Sequence, residues 1–264
     1  MKEFAIYLLA KNRRRFPVRQ LNLLAEKIIH GCENYSYNFK LNGEEMVLHR
    51  LRQSGFSVFF DVGANRGDWS LLVRRHFPDS SVHCFEIAPA MQVVLKKAIG
   101  HLVPPVGMND FGLSNKVGTV KLNFCPDADG SSTMLATSEL PQHVQIDAHV
   151  VTGDSYVEKR SIPKIDFLKL DVEGVENLVL EGFAKTLARH LIEVIQFEYG
   201  RENATAGFLL KDFHKLLEPL GYCIGKIFPD GVEFKEYSTL DENFIGPNFL
   251  AVRKERQDLI SLLS

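Results

Sequence analysis

The sequence predicts an α/β chain: a doubly wound, mostly parallel sheet of seven strands, with a helical segment ahead of it and a β insertion within it. Three observations carry this. From Val58 onward, short β-like apolar runs alternate with stretches of helical periodicity, the texture of successive βαβ units. Residues 1–57 read as helices throughout. The alternation is broken once, at about 119–151, by two β-like runs around a turn-rich stretch.

In the first segment Leu21, Leu24, Ala25 and Ile28 fall at i, i+3, i+4 and i+7, and a second helical stretch, 44–53, stops at Gly55. Strands are then expected at 58–61, 82–86, 106–110, 165–171 and 192–198. A helix at about 68–77 puts Trp69, Leu72, Val73 and His76 on one face, and the next, 89–99, has Pro89 at its first position. Further helices are expected at about 175–188 and 205–218. Runs 119–124 and 144–151 form the insertion and bracket the turn-rich residues 127–132. Runs 222–228 and 248–253 complete the seven strands. The expected organisation is an N-terminal helical segment (1–57), a sheet domain (58–254) and a short tail (255–264), with no internal repeat.

The 264 residues carry 31 basic and 33 acidic side chains, a net charge of −2. A nucleic-acid-binding domain should be strongly basic, so no nucleic-acid partner is expected. The balance is uneven: residues 1–57 hold ten Lys/Arg against five Glu, and the remainder nets −7. At 45% apolar and 24% charged, the composition excludes a disordered chain. The longest early apolar run, residues 4–10, is too short to span a membrane. Lys11, Arg13, Arg14 and Arg15 follow that run, the reverse of a signal peptide's order. Cys32, Cys84, Cys125 and Cys223 are widely spaced without a CxxC pair, so they read as reduced thiols of a cytoplasmic protein, and no zinc site is expected. The absence of a Gly-x-Ser-x-Gly elbow argues against a hydrolase of the α/β type.

In doubly wound sheets the ligand lies beyond the carboxyl ends of the strands, where strand order reverses. The first strand ends in Asp61-Val62-Gly63-Ala64-Asn65-Arg66-Gly67 and runs into a helix. Gly63 lets the backbone turn and a ligand approach, and Gly67 permits close packing at the helix start. The second strand ends in Glu86, placed to accept hydrogen bonds from ribose hydroxyls. The third ends in Asp110-Phe111, a carboxylate for an adenine amine and a ring for its face. This is not the dinucleotide fingerprint, because its middle glycine is Ala64 and Asp61 would repel a pyrophosphate. An adenosine bearing an ammonium and a sulfonium, S-adenosylmethionine, fits the charge pattern better.

These motifs, together with Cys84-Phe85-Glu86-Ile87-Ala88-Pro89, Gly112-Leu113-Ser114-Asn115 with Gly118, and Leu168-Lys169-Leu170-Asp171-Val172-Glu173-Gly174, resemble those of the FkbM-type methyltransferases. The resemblance covers roughly residues 56–200 and implies a Rossmann-like class I fold, S-adenosylmethionine as cofactor and methylation of hydroxyls on sugars or natural products. It implies that Asp61, Gly63, Ala64 and Asn65 line the methionine end, Glu86 the ribose, and Asp110 with Phe111 the adenine; Gly67 and Ile87 complete the cofactor-binding set.

Methyl transfer to a hydroxyl needs the acceptor aligned and its proton removed, and a positioned base contributes about 10²–10⁴-fold. Asp171 and Glu173 at the end of the fourth strand and Glu198 at the end of the fifth are the catalytic candidates. They could share a divalent cation, but no Asp/Asn-rich coordination loop accompanies them and no metal is expected. Asp166 begins its strand and belongs at the opposite edge. His83 reads as a strand residue of core or edge, whereas His143, His149 and the hydroxyl-rich turn Gly130-Ser131-Ser132 could face a substrate from the insertion. A nicotinamide-dependent oxidoreductase and a non-catalytic binding module are the alternatives. The N-terminal helices offer a surface for a homo-oligomer.

Overall fold

Three helices open the chain: α1 (Lys2–Asn12), α2 (Val18–Cys32) and α3 (Glu44–Leu51). Then follow β1 (Val58–Val62), α4 (Asp68–His76), β2 (Ser81–Phe85), α5 (Pro89–Ile99), β3 (Gly107–Asn109), β4 (Gly112–Leu113), β5 (Gly118–Phe124) and β6 (Val144–Val151). The second half holds α6 (Gly153–Arg160), β7 (Ile165–Leu170), α7 (Glu176–Gly182), α8 (Ala184–Ala188), β8 (Ile192–Glu198), α9 (Arg201–Ala206) and α10 (Leu210–Leu217). It ends with β9 (Tyr222–Phe228), β10 (Gly231–Phe234), β11 (Asn248–Arg253) and α11 (Gln257–Leu263). The computed structural model describes residues 2–124, 134 and 144–264.

Among the described residues, eight strands form the main sheet in the order β10-β9-β11-β8-β7-β1-β2-β3. Strands β3, β2, β1, β7 and β8 are parallel, and β11 enters antiparallel between β8 and β9. The seven expected strands are all present, and β10 extends the sheet by a hairpin on β9. Strand order reverses between β1 and β7, so the crevice for a ligand opens above that pair. The insertion forms a separate sheet, β4-β6-β5.

The central strands are buried on both faces, as parallel strands under helices are. Phe59, Phe167 and Val194 face one side, where they meet Trp69 and Leu72 of α4. Phe60, Leu168 and Ile195 face the other, against Phe183, Leu187 and Phe213. Each such side chain contributes about 1.5–3 kcal/mol by leaving water. Helix α3, grouped by the sequence with the N-terminal segment, inserts Val47, Leu48 and Leu51 into the first of these cores, and α11 adds Leu259 and Leu263 to it. By contrast α1 and α2 bury no side chain.

Four local readings need correction. The expected helix at 175–188 is two, α7 and α8, parted at Phe183, and that at 205–218 is α9 and α10, parted where Gly207 takes φ +71°. Helix α6 was not expected, although Thr152 caps it by accepting from the Ser155 N–H at 3.1 Å. Strand β3 stops at Asn109, one residue short of Asp110.

Candidate active site

The turn after β1 decides the geometry. Gly63 takes φ +83°, and the N–H groups of Gly63 and Ala64 both donate to the Phe85 carbonyl at 3.0 Å. The Asp171 N–H in turn donates to the Val62 carbonyl at 3.0 Å. A Cβ on Gly63 would stand 1.8 Å from the Asp171 carbonyl oxygen, so the turns after β1 and β7 can interlock only with glycine there. Gly67 serves packing: its Cβ would press on Leu95 and Ile99 of α5 at 2.8 and 2.9 Å.

Above this knot lies a cavity of about 520 Å³, within the range of small-molecule sites. Its floor is Gly63, Asn65 and Glu86, its apolar end Ile87, Met91, Gly112 and Leu122, and its acidic end Asp171, Glu173, Glu198 and Glu202. Glu86 is 5% exposed and held rigidly: one carboxylate oxygen accepts from the Asn65 N–H at 2.7 Å, the other from the Ala88 N–H at 2.8 Å. Burial raises its pKa, and the backbone donors of Ala88, Asn65 and Ile87 pull it back only partly. Asn65 sits at φ +45°, and among the described residues its buried Oδ1 has no hydrogen-bond partner.

At the acidic end, Asp171, Glu173 and Glu198 each bring a carboxylate oxygen within 4.8 Å of the other two. Lys169, 8% exposed in its side chain, points Nζ at Asp171 Oδ2 (2.8 Å) and Asp61 Oδ1 (3.8 Å). Burial pushes the lysine pKa down, but Asp171 and Asp61 outweigh it, so the ammonium is held charged. Burial also opposes the charge on Asp171, yet Lys169 holds that carboxyl below its usual value. Glu198 is driven well above the carboxylate range by burial and then by Asp171 and Glu173. Glu173 rises to about 9, again through burial first and Asp171 second. One ionised carboxylate thus stands beside two that hold their protons. Three oxygen donors at this spacing could also take a divalent cation.

Glu176 supports the arrangement from beneath. Fully buried, it accepts from the Val172 N–H at 3.1 Å and the Gly174 N–H at 3.3 Å, and so holds the loop that carries Glu173 at φ +57°. A raised folded-state pKa stabilises the fold below the unfolded value and loses that contribution as pH climbs through the folded value. Glu173→Gln is therefore expected to stabilise the ligand-free fold by about 1–3 kcal/mol at roughly pH 8 and by little near pH 5. Thermal melts at both pH values check this, and an equal gain at both would remove titration as the cause.

The structure gathers Gly63, Asn65, Glu86, Ile87, Asp171, Glu173 and Glu198 around one cavity, and Ala64 lines a smaller one beside it. Asp61 does not line either. It is wholly buried, accepting from Ser70 Oγ of α4 at 2.6 Å and facing Lys169 of β7. Asp110 and Phe111, expected at the adenine, do not line either cavity. Once β3 ends at Asn109, whose side chain donates to the Cys84 carbonyl at 2.9 Å, Asp110 turns out to solvent. Phe111 is half-buried, its ring 6.1 Å from that of Phe85, which lines the cavity, and 6.2 Å from that of Tyr156.

His83 lies 2.9 Å from the Tyr156 hydroxyl, and burial lowers its pKa to about 4, so it is a neutral strand residue. His149 is exposed beside Phe111. Asp166 sits at the opposite end of the sheet, accepting from the Ser57 and Val58 N–H groups. Cys125, residues 127–132 including Gly130-Ser131-Ser132, and His143 lie outside the described residues. Sequence reasoning gave no role to Lys169, although a lone lysine in an apolar strand next to Asp171 demands a partner. It had no signal for Tyr37, which reaches the cavity from the N-terminal segment.

With that geometry in place, comparison with known proteins decides the family. The profile of the methyltransferase FkbM domain matches residues 61–224, more than half of the chain. The chain belongs to that family. This FkbM-domain chain is 29% identical over 153 residues to the 31-O-demethyl-FK506 methyltransferase FkbM of Streptomyces tacrolimicus, covering 47% of this chain and 58% of the relative. It is 26% identical over 183 residues to the hexuronic acid methyltransferase AglP of Haloferax volcanii, covering 67% and 69%. Two fungal methyltransferases are also matched over 58% of their length, so the chain spans little more than half of these relatives. The crystal structure of methyltransferase FkbM from Methylobacillus flagellatus KT superposes with a TM-score of 0.50 at 14% identity, over 74% of this chain and 43% of that one, a likeness of fold. The cofactor that goes with this FkbM domain is S-adenosylmethionine.

Proposed function

We propose that this FkbM-domain chain transfers a methyl group from S-adenosylmethionine to a hydroxyl of a sugar or natural-product small molecule, with Glu198 as the general base. The observation that carries the reading is the acid-lined cavity at the switch point, where the carboxylates of Asp171, Glu173 and Glu198 converge. A lining rich in carboxyl groups, with Asp171 ionised, suits a cationic ligand and opposes the phosphates of a dinucleotide. Asn65 Oδ1, buried without a partner among the described residues, suits an ammonium or amine donor. Glu86 keeps lone pairs on both oxygens after accepting its two N–H groups, as a pair of ribose hydroxyls requires. Ile87, Met91, Gly112 and Leu122 offer the apolar walls that a purine needs.

Bound there, the cofactor supplies an electrophilic methyl carbon. The chain's own part is to orient the acceptor and take its proton. Asp171, kept ionised by Lys169, is a weak base but a good hydrogen-bond acceptor for orienting a hydroxyl. Glu198, with its pKa raised by burial and by Asp171, is a stronger base than an ordinary carboxylate once ionised, so its proton abstraction grows as pH rises. The printed names of the streptomycete and haloarchaeal relatives, an O-demethyl natural product and a hexuronic acid, support the acceptor class. The free thiols of Cys32, Cys84 and Cys223 accord with the cytoplasm.

Ligand-dependent melting tests this. S-adenosylmethionine at 100-fold over its dissociation constant should stabilise the fold by ~2.7 kcal/mol, and Glu86→Ala should remove most of that gain. Stabilisation by NAD and by neither sulfur nucleoside would overturn the cofactor reading. Transfer of labelled methyl to uronic acids or hydroxylated macrolides, and not to amines, is the expected acceptor pattern.

A further inference from the structure

The N-terminal arm is the one part of the described structure in which large apolar side chains gather without burying anything. Phe4 is 64% exposed and Phe16 82%, and Ile6, Tyr7, Leu8, Leu9, Leu21, Leu24 and Ile28 are all exposed too. In α1 these residues surround the helix. At 100° per residue, Phe4, Ile6, Tyr7, Leu8 and Leu9 leave no face wider than about 100° free of them. A helix apolar on every side belongs inside a core or in lipid. A single protein surface could cover one side of it only.

Helix α2 is different. Val18, Leu21, Leu24, Ala25 and Ile28 share one face, while Arg19, Glu26, Lys27 and His30 lie opposite. The turn between the helices carries Arg13, Arg14 and Arg15. From Phe4 to Ala25 there are five basic side chains and no acidic one, whereas residues 58–264 net −7. No helix among the described residues is long and apolar enough to cross a membrane.

We propose that α1, the arginine turn and α2 form an in-plane anchor that seats this chain on an anionic lipid surface, with α1 and the apolar face of α2 in the acyl boundary and the arginines among the phosphates. Amphipathic segments with Phe and Leu on one side and Lys and Arg on the other bind in this way, and a cluster of four to eight basic residues selects anionic lipid. The charge division sets the orientation, since the acidic body is repelled from the surface that attracts the arm. The arm is also tied to the body. Beyond its last turn, Glu33 pairs with Lys226 at 2.6 Å and Asn34 donates to the Ile227 carbonyl at 2.8 Å. Three residues on, Tyr37 lines the cavity, so docking of the arm brings the cavity to the membrane surface.

Co-sedimentation of the full chain with vesicles tests the anchor. Binding is expected to vesicles of equal parts phosphatidylcholine and phosphatidylglycerol, to weaken in high salt, and to be slight with phosphatidylcholine alone. The variant Arg13→Glu/Arg14→Glu/Arg15→Glu should bind about tenfold or more weakly, and Leu8→Asp/Leu9→Asp likewise, both with the wild-type melting temperature because these side chains touch no core. Tryptophan emission from Phe4→Trp should shift to the blue on the anionic vesicles. Equal affinity for both vesicle types, or none for either, would overturn the proposal. So would a stable dimer in sedimentation velocity that Leu8→Asp/Leu9→Asp dissolves while vesicle binding is absent, since the arm would then serve a second copy.

Discussion

Glu198→Gln is expected to lower methyl transfer by about 10²–10⁴-fold while leaving cofactor affinity within a few fold. The substitution keeps the shape and removes the proton acceptor. Glu198 ends β8, beside Asp171 in the turn just after β7, and its pKa is raised by burial first and by the Asp171 charge next. The wild-type rate should therefore climb with pH through an apparent pKa above the ordinary carboxylate range. Asp171→Asn removes the like charge, so the Glu198 pKa falls and the acidic limb of the pH–rate profile moves to lower pH. A kcat for Glu198→Gln within about threefold of wild type would exclude Glu198 as the base. An acidic limb unmoved in Asp171→Asn would exclude the coupling between the two acids.

Lys169→Met is expected to cost about 3–5 kcal/mol, chiefly because it strands the fully buried Asp61 without its cation, the partly exposed Asp171 adding less. For a chain of this size the melting temperature should fall by roughly 6–20 °C. The sign with pH follows from Asp171. Its folded pKa lies below the unfolded value because of Lys169, so its contribution is present above the unfolded value and is lost as pH falls through the folded one. The deficit of Lys169→Met should accordingly be large above about pH 5 and shrink in acid. The double variant Lys169→Met/Asp171→Asn should recover part of the loss, with a coupling of about 0.5–3 kcal/mol in a double-mutant cycle. Strict additivity would mean that the 2.8 Å pair contributes nothing.

The alternation of apolar β runs with helical periodicity was legible from the chain alone because it is local: Phe59, Phe60, Phe167 and Leu168 announce strands buried on both faces wherever they pack. The strand-end motifs were legible for the same reason, and Gly63, Glu86, Asp171, Glu173 and Glu198 do meet at one cavity. What the chain did not announce was which acids face outward. Asp61 and Asp110 carry the same chemistry as Asp171, yet Ser70 and Lys169 hold the first in the interior and the early end of β3 leaves the second in solvent. Side-chain direction at a strand end depends on the neighbouring strand's turn, a contact between residues about a hundred positions apart, as between Gly63 and Asp171.

The sequence by itself determined the seven principal strands and the acids that follow them, since periodicity, turn chemistry and charge act within short stretches. Only the tertiary structure decided that Lys169 sets Asp171 apart from Glu198, that α3 belongs to the core and that Tyr37 reaches the cavity. Those outcomes depend on distance and burial, which fix how strongly charges couple, and neither can be read along the chain.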